Sequence, residues 1–132
     1  MGVEWARKYV GEMFDGEGPG RSLDCWGFAR KILMERYGKI LPPFNEVVLR
    51  PDRRKATADD IARCIPLVDA HAVEEPAPGD LALMFSFGYP VHIGVVVEES
   101  MILHSEPGKG GVLERRSKLE ITKRVKGYYR VD

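Results

Sequence analysis

Cys25, His92 and His104 are the side chains of this 132-residue chain whose types and settings could carry chemistry. Cys25 follows a glycine-rich stretch, GEMFDGEGPGRSL, and sits where a helical pattern begins at Asp24. A helix N-terminus offers unpaired N–H groups and a partial positive charge. Both favour a thiolate, so a cysteine there can act as a nucleophile. On position alone, a small buried hydrophobe is the commoner role of a free cysteine, and both roles stay open at this point.

His92 lies in PVHIGVVVEE and His104 in MILHSEP. Their relation depends on the loop between two strands. If Glu98-Glu99-Ser100 is a three-residue hairpin loop, Val97 pairs with Met101 and His104 lies opposite Gly94. His92 is then its diagonal neighbour on the same face. A two-residue loop would send the imidazoles to opposite faces. We adopt the odd loop. Two histidines on one face, beside a small Gly94, leave room for a thiol from a packed helix. One can act as base and the other can orient it.

The same three residues could also form a Cys-His-His zinc site with water as fourth ligand. Cys64 lies on one face of a short helical pattern and reads as core. His71 has no motif partner and reads as structural. Asp24 reads as the helix cap, with a possible second contact to a substrate amino group. Asp80, in Pro78-Gly79-Asp80, reads as a turn-fixing residue.

The elements that must position these groups fall in order. Val3 to Tyr9 is helical, with Trp5 and Tyr9 on one face. Asp24 to Tyr37 is the clearest helix. Cys25, Phe28, Ala29, Ile32, Leu33 and Tyr37 form its apolar stripe, and Gly38 stops it. Thr57 to Ile65 is a short helix ended by Pro66. Strands follow at Leu67 to Val73, Leu81 to Phe87, Val91 to Val97, Met101 to Ser105, Val112 to Arg115 and Gly127 to Val131. Helices followed by a strand meander predict an α+β domain, with N-terminal helices on one face of a small antiparallel sheet. The length suits one domain over 1–132.

Lys+Arg and Asp+Glu are both 20, so the formal net charge is zero. That argues against a general nucleic-acid binder, which needs an excess of cations. With 44% hydrophobic residues, the chain is not of disordered composition. The longest apolar runs, such as Ile93 to Val97, are far below the ~20 residues of a spanning helix. The N-terminus lacks an apolar signal core. The expectation is no membrane partner, synthesis in the cytoplasm and free thiols. The charge is uneven, however. From Glu114 to Lys126 six basic residues face two acidic ones, an excess of four, and Arg50 to Lys55 adds a second basic patch. Such patches could suit an anionic polymer.

Several pieces occur together in order: LDCWGFARKI (Leu23 to Ile32), YGKILP (Tyr37 to Pro42), PGDLALM (Pro78 to Met84), VHIGVVVE (Val91 to Glu98) and ILHS (Ile102 to Ser105). This ordered set resembles the NlpC-type cell-wall cysteine peptidases, a papain-like family. The resemblance implies Cys25 as nucleophile at a helix N-terminus, His92 as general base and His104 as the residue that orients it. It implies a peptidoglycan stem peptide as substrate, cleaved between D-γ-glutamyl and a diamino acid, with no cofactor. The opening WARKYVGEMF and the Trp of DCWG are more similar to short phage and prophage members, like the lambdoid tail assembly protein K. That likeness implies phage tail partners and a place in a virion tail, or a non-catalytic assembly module of the same fold. Two positions depart from the family. Trp26 replaces a serine that helps recognise the substrate's amino end. Phe14 stands near the place of a tyrosine by the oxyanion site and lacks its hydroxyl. Both are candidate substrate-binding positions. The oxyanion would then rest mainly on backbone N–H groups at the helix start. The resemblance covers one catalytic domain, so delivery to the wall would fall to a partner.

Overall fold

The computed structural model describes residues 2–12, 24–41, 70–86, 89–106 and 109–131. The chain starts with a 3-10 helix, Glu4–Tyr9, followed by α1, Asp24–Tyr37. Strands β1 (Ala70–Val73), β2 (Leu81–Ser86), β3 (Tyr89–Val97), β4 (Met101–Glu106) and β5 (Gly110–Arg115) come next. A short helix, α2 (Leu119–Arg124), then leads into β6 (Val125–Val131). Among the described residues the strands form one antiparallel sheet, ordered β1-β6-β2-β3-β4-β5. The architecture is α+β, as expected.

The helix α1 has the predicted bounds. Phe28, Ala29, Ile32 and Leu33 of its apolar stripe are buried. Gly38 takes a left-handed φ of 65° at its end, where the Lys39 N–H bonds the Leu33 carbonyl at 3.0 Å. The 3-10 helix replaces the expected first helix. Its Trp5 and Tyr9 rings meet edge-on, with centroids 6.0 Å apart. The expected helix Thr57 to Ile65, with Cys64, lies outside the described residues, as do Phe14 and the basic patch Arg50 to Lys55.

Alternation along the strands builds two cores. Leu81, Leu83, Ile93, Val95, Val97 and Leu103 face α1 and the 3-10 helix. Ala82, Met84, Val96 and Ile102 face the other way, onto Ile121 of α2. Helices therefore cover both faces, which corrects the expectation of one. The helix α2 has no sequence signature, because LEITKR is too short to display a helical period. The meander holds from β2 to β5, but β6 inserts between β1 and β2.

The Pro78-Gly79-Asp80 turn is built as its residues demand. Gly79 has a φ of 95°, and the Asp80 carboxylate accepts the Ala77 N–H at 2.7 Å. Asp80 is only 1% exposed. Its charge is met by a bidentate Arg130, with Nε and Nη2 each 2.9 Å from a carboxylate oxygen. Turn, β2 start and β6 are thereby tied together.

Candidate active site

The loop between β3 and β4 is Glu98–Ser100, three residues, and Val97 pairs with Met101. Glu99 and Ser100 take left-handed φ angles of 59° and 56°. Glu98 anchors the loop. Its carboxylate accepts from Trp5 Nε1 at 2.7 Å and from the Tyr37 hydroxyl at 3.0 Å. This odd loop sets Gly94 opposite His104, as expected, and puts His92 on the same face. A side chain at Gly94 would collide there: its Cβ would lie 2.7 Å from Ile102 Cγ2 and 3.2 Å from His104 Cβ.

The two imidazoles meet. His92 Nε2 lies 2.9 Å from His104 Nδ1, with the rings nearly perpendicular. His92 is 6% exposed and His104 is 0% exposed. Burial, then the neighbouring His104 and then Arg124 hold His92 below the ordinary histidine range, against an opposing pull from Glu106. Its neutral form is favoured at neutral pH.

Four further residues complete the cluster, none of them a site residue by sequence motif. Glu106, two positions beyond His104, brings Oε1 to 3.2 Å from His104 Nδ1 and 3.6 Å from His92 Nε2. Arg124 of α2 grips the same oxygen at 2.6 Å and bonds the Phe85 carbonyl at 3.1 Å. The His104 ring and then Arg124 keep the Glu106 carboxyl well below the usual carboxylate range. Glu114 of β5, opposite Ile102, approaches His104 Nε2 at 3.2 Å, and Lys118 holds its other oxygen at 3.2 Å. Period-two alternation could have found Glu106 and Glu114 once the strands were paired. Arg124 could not be found that way, because α2 carries it. Arg124 and Lys118 belong to the basic stretch noted above, and each pairs with a carboxylate of the cluster, Lys118 at the exposed surface.

His92, Gly94 and Val96 share the face that α2 covers, whereas Ile93, Val95 and Val97 face α1. The histidines and the body of α1 thus lie on opposite faces. This differs from the expectation that the packed helix meets them on one face. Asp24 and Cys25 are the first two residues of α1, and their side chains lie outside the described residues. Trp26, next in the helix, is 1% exposed and part of the core under α1. It presents no surface to a substrate. His71 is on exposed β1, separated from β3 by β6 and β2.

A metal has a nominal donor set here, because His92, His104 and Glu106 bring ligand atoms within 4.8 Å of one another. These atoms are already engaged. The two facing nitrogens bond each other, and the Glu106 oxygen carries Arg124. A cation would have to displace both contacts.

The model of the NlpC/P60 family matches residues 11–129. The chain belongs to the NlpC/P60 family. Its members are typically cell-wall peptidases, generally of the cysteine type. Among solved structures, the NlpC/P60 chain is similar to one described as "similar to lipoprotein, NLP/P60 family", from Staphylococcus aureus subsp. aureus Mu50. The TM-score is 0.59 at 22% identity, over 98% of this chain and 39% of that one. The chain thus spans well under half of that relative's length, and the likeness is one of fold. No curated protein matches. Among the described residues, no helix is long and apolar enough to cross a membrane.

Proposed function

We propose that this NlpC/P60 domain is a cysteine endopeptidase that hydrolyses peptidoglycan stem peptides, with Cys25 as nucleophile, His92 as base and His104 as its orienting partner. The observation that carries the reading is the buried 2.9 Å contact between His92 Nε2 and His104 Nδ1. It engages one nitrogen of His92 and leaves Nδ1 for the thiol. A neutral His92 takes the Cys25 proton as sulfur attacks the amide carbonyl, and the N–H groups at the start of α1 stabilise the oxyanion. The imidazolium returns the proton to the leaving amine. Water, deprotonated by His92, then releases the acyl-enzyme.

This reading needs the start of α1 to approach the end of β3 that carries His92, although the helix body packs on the other face. The bond proposed is that between D-γ-glutamyl and a diamino acid, and the setting proposed is a phage tail. Both rest on the motif resemblance. Incubation with purified peptidoglycan fragments, followed by mass spectrometry, tests the proposal. Products cut at that bond by the parent and absent with Cys25→Ala are expected. Equal cleavage by Cys25→Ala would overturn it. Stoichiometric zinc in the purified protein, with no cleavage, would favour the metal reading.

A further inference from the structure

His104 is completely buried, with a carboxylate near each ring nitrogen: Glu106 at Nδ1 and Glu114 at Nε2, both at 3.2 Å. Only one nitrogen of a neutral imidazole carries a proton. The choice decides the rest of the relay. With the proton on Nε2, Nδ1 is a lone pair and accepts the N–H of His92 Nε2. His92 Nδ1 is then unprotonated and basic. With the proton on Nδ1, the pattern reverses, and His92 must accept at Nε2 and carry its proton on Nδ1.

The two carboxylates are not equal competitors. Glu106 Oε1 is gripped by Arg124 at 2.6 Å. The same oxygen lies 3.2 Å from His104 Nδ1, but the shorter contact at that nitrogen is the 2.9 Å one with His92 Nε2. Glu114 instead presents Oε1 to His104 Nε2 in hydrogen-bond geometry, while Lys118 occupies its other oxygen. We propose that Glu114 is a positioning residue: by accepting the His104 Nε2–H, it fixes both tautomers and leaves His92 Nδ1 free to act as base. Arg124 assists by giving Glu106 Oε1 a shorter, charge-assisted bond of its own at 2.6 Å. The inference rests on the peptidase reading for its purpose, but its geometry stands apart from it.

Long-range 1H–15N correlation spectra of the uniformly labelled full chain at neutral pH read the tautomers directly. The parent is expected to carry Nε2–H on both His92 and His104. Nδ1–H on His92 in the parent would overturn the proposal, with no variant needed. In Glu114→Leu, which removes the acceptor, the proton of His104 is expected to move to Nδ1 and that of His92 to follow. On peptidoglycan fragments, kcat should fall roughly tenfold to a hundredfold, a part of what a general base supplies, with KM unchanged. Glu114→Gln keeps an acceptor oxygen and should restore both tautomers and most of the rate. Unchanged tautomers in Glu114→Leu would sink the idea. A parent with the stated tautomers but no peptide cleavage would sink the peptidase reading instead and leave the positioning role supported.

Discussion

His92 and His104 stand twelve residues apart in the chain, yet their ring nitrogens lie 2.9 Å apart in a buried site. One feature of the backbone makes this possible: a loop of odd length between β3 and β4. Period-two alternation then brings both imidazoles to one face, and Gly94 clears the space between them.

That space can be probed by filling it. Gly94→Ala would set a Cβ 2.7 Å from Ile102 Cγ2 and 3.2 Å from His104 Cβ. Overpacking of this kind costs about 1–3 kcal/mol. Urea denaturation should show that loss. Peptidase activity per folded molecule should fall as well, because His104 is one of the side chains that must give way.

The burial of His92 has a pH signature. Its folded value lies below its unfolded value of about 6.5, so the unfolded chain binds its proton first as pH falls. This contribution should leave stability flat above about 6.5 and reduce it progressively at lower pH. Denaturation midpoints at pH 7.5 and 5.5 measure the difference. His92→Gln should flatten that part of the profile. A parent more stable at the lower pH would contradict the neutral buried imidazole.

Trp26 separates a core role from a substrate role. Trp26→Ala should cost about 3–5 kcal/mol, as other large aromatic truncations in cores do. Trp26→Phe should recover much of that stability and keep KM for peptidoglycan fragments near the parent's. A large rise in KM in the folded Phe variant would return Trp26 to the substrate.

Cys25 should be the reactive thiol. At neutral pH iodoacetamide is expected to label it faster than Cys64, read by peptide mass spectrometry, because a helix start favours the thiolate and the proposed base, His92, can take the thiol proton. His92→Ala should slow that labelling without affecting Cys64. Equal, slow labelling of both cysteines would remove the support for activation.

Local pattern and tertiary contact contributed differently to what is known of this chain. The stripe of α1, the Gly38 stop, the Pro78-Gly79-Asp80 turn and the pairing of His104 with Gly94 were legible because each is encoded within a few residues by side-chain period or turn chemistry. The ordered motifs also point to the NlpC/P60 family, whose pattern runs over residues 11–129. The insertion of β6 beside β2, the covering of the second face by α2, and the burial of Trp26 were not legible. Each depends on which distant surfaces pack together, a choice made by the summed burial of the whole sheet rather than by any short segment. The same holds for the charges. Glu106 carries no motif in the sequence, and Glu114, Lys118 and Arg124 read there only as members of a basic stretch. Only the folded sheet, with α2 laid across its face, brings them around the His92–His104 pair, because a carboxylate takes on a specific role there when burial leaves it few partners to choose from.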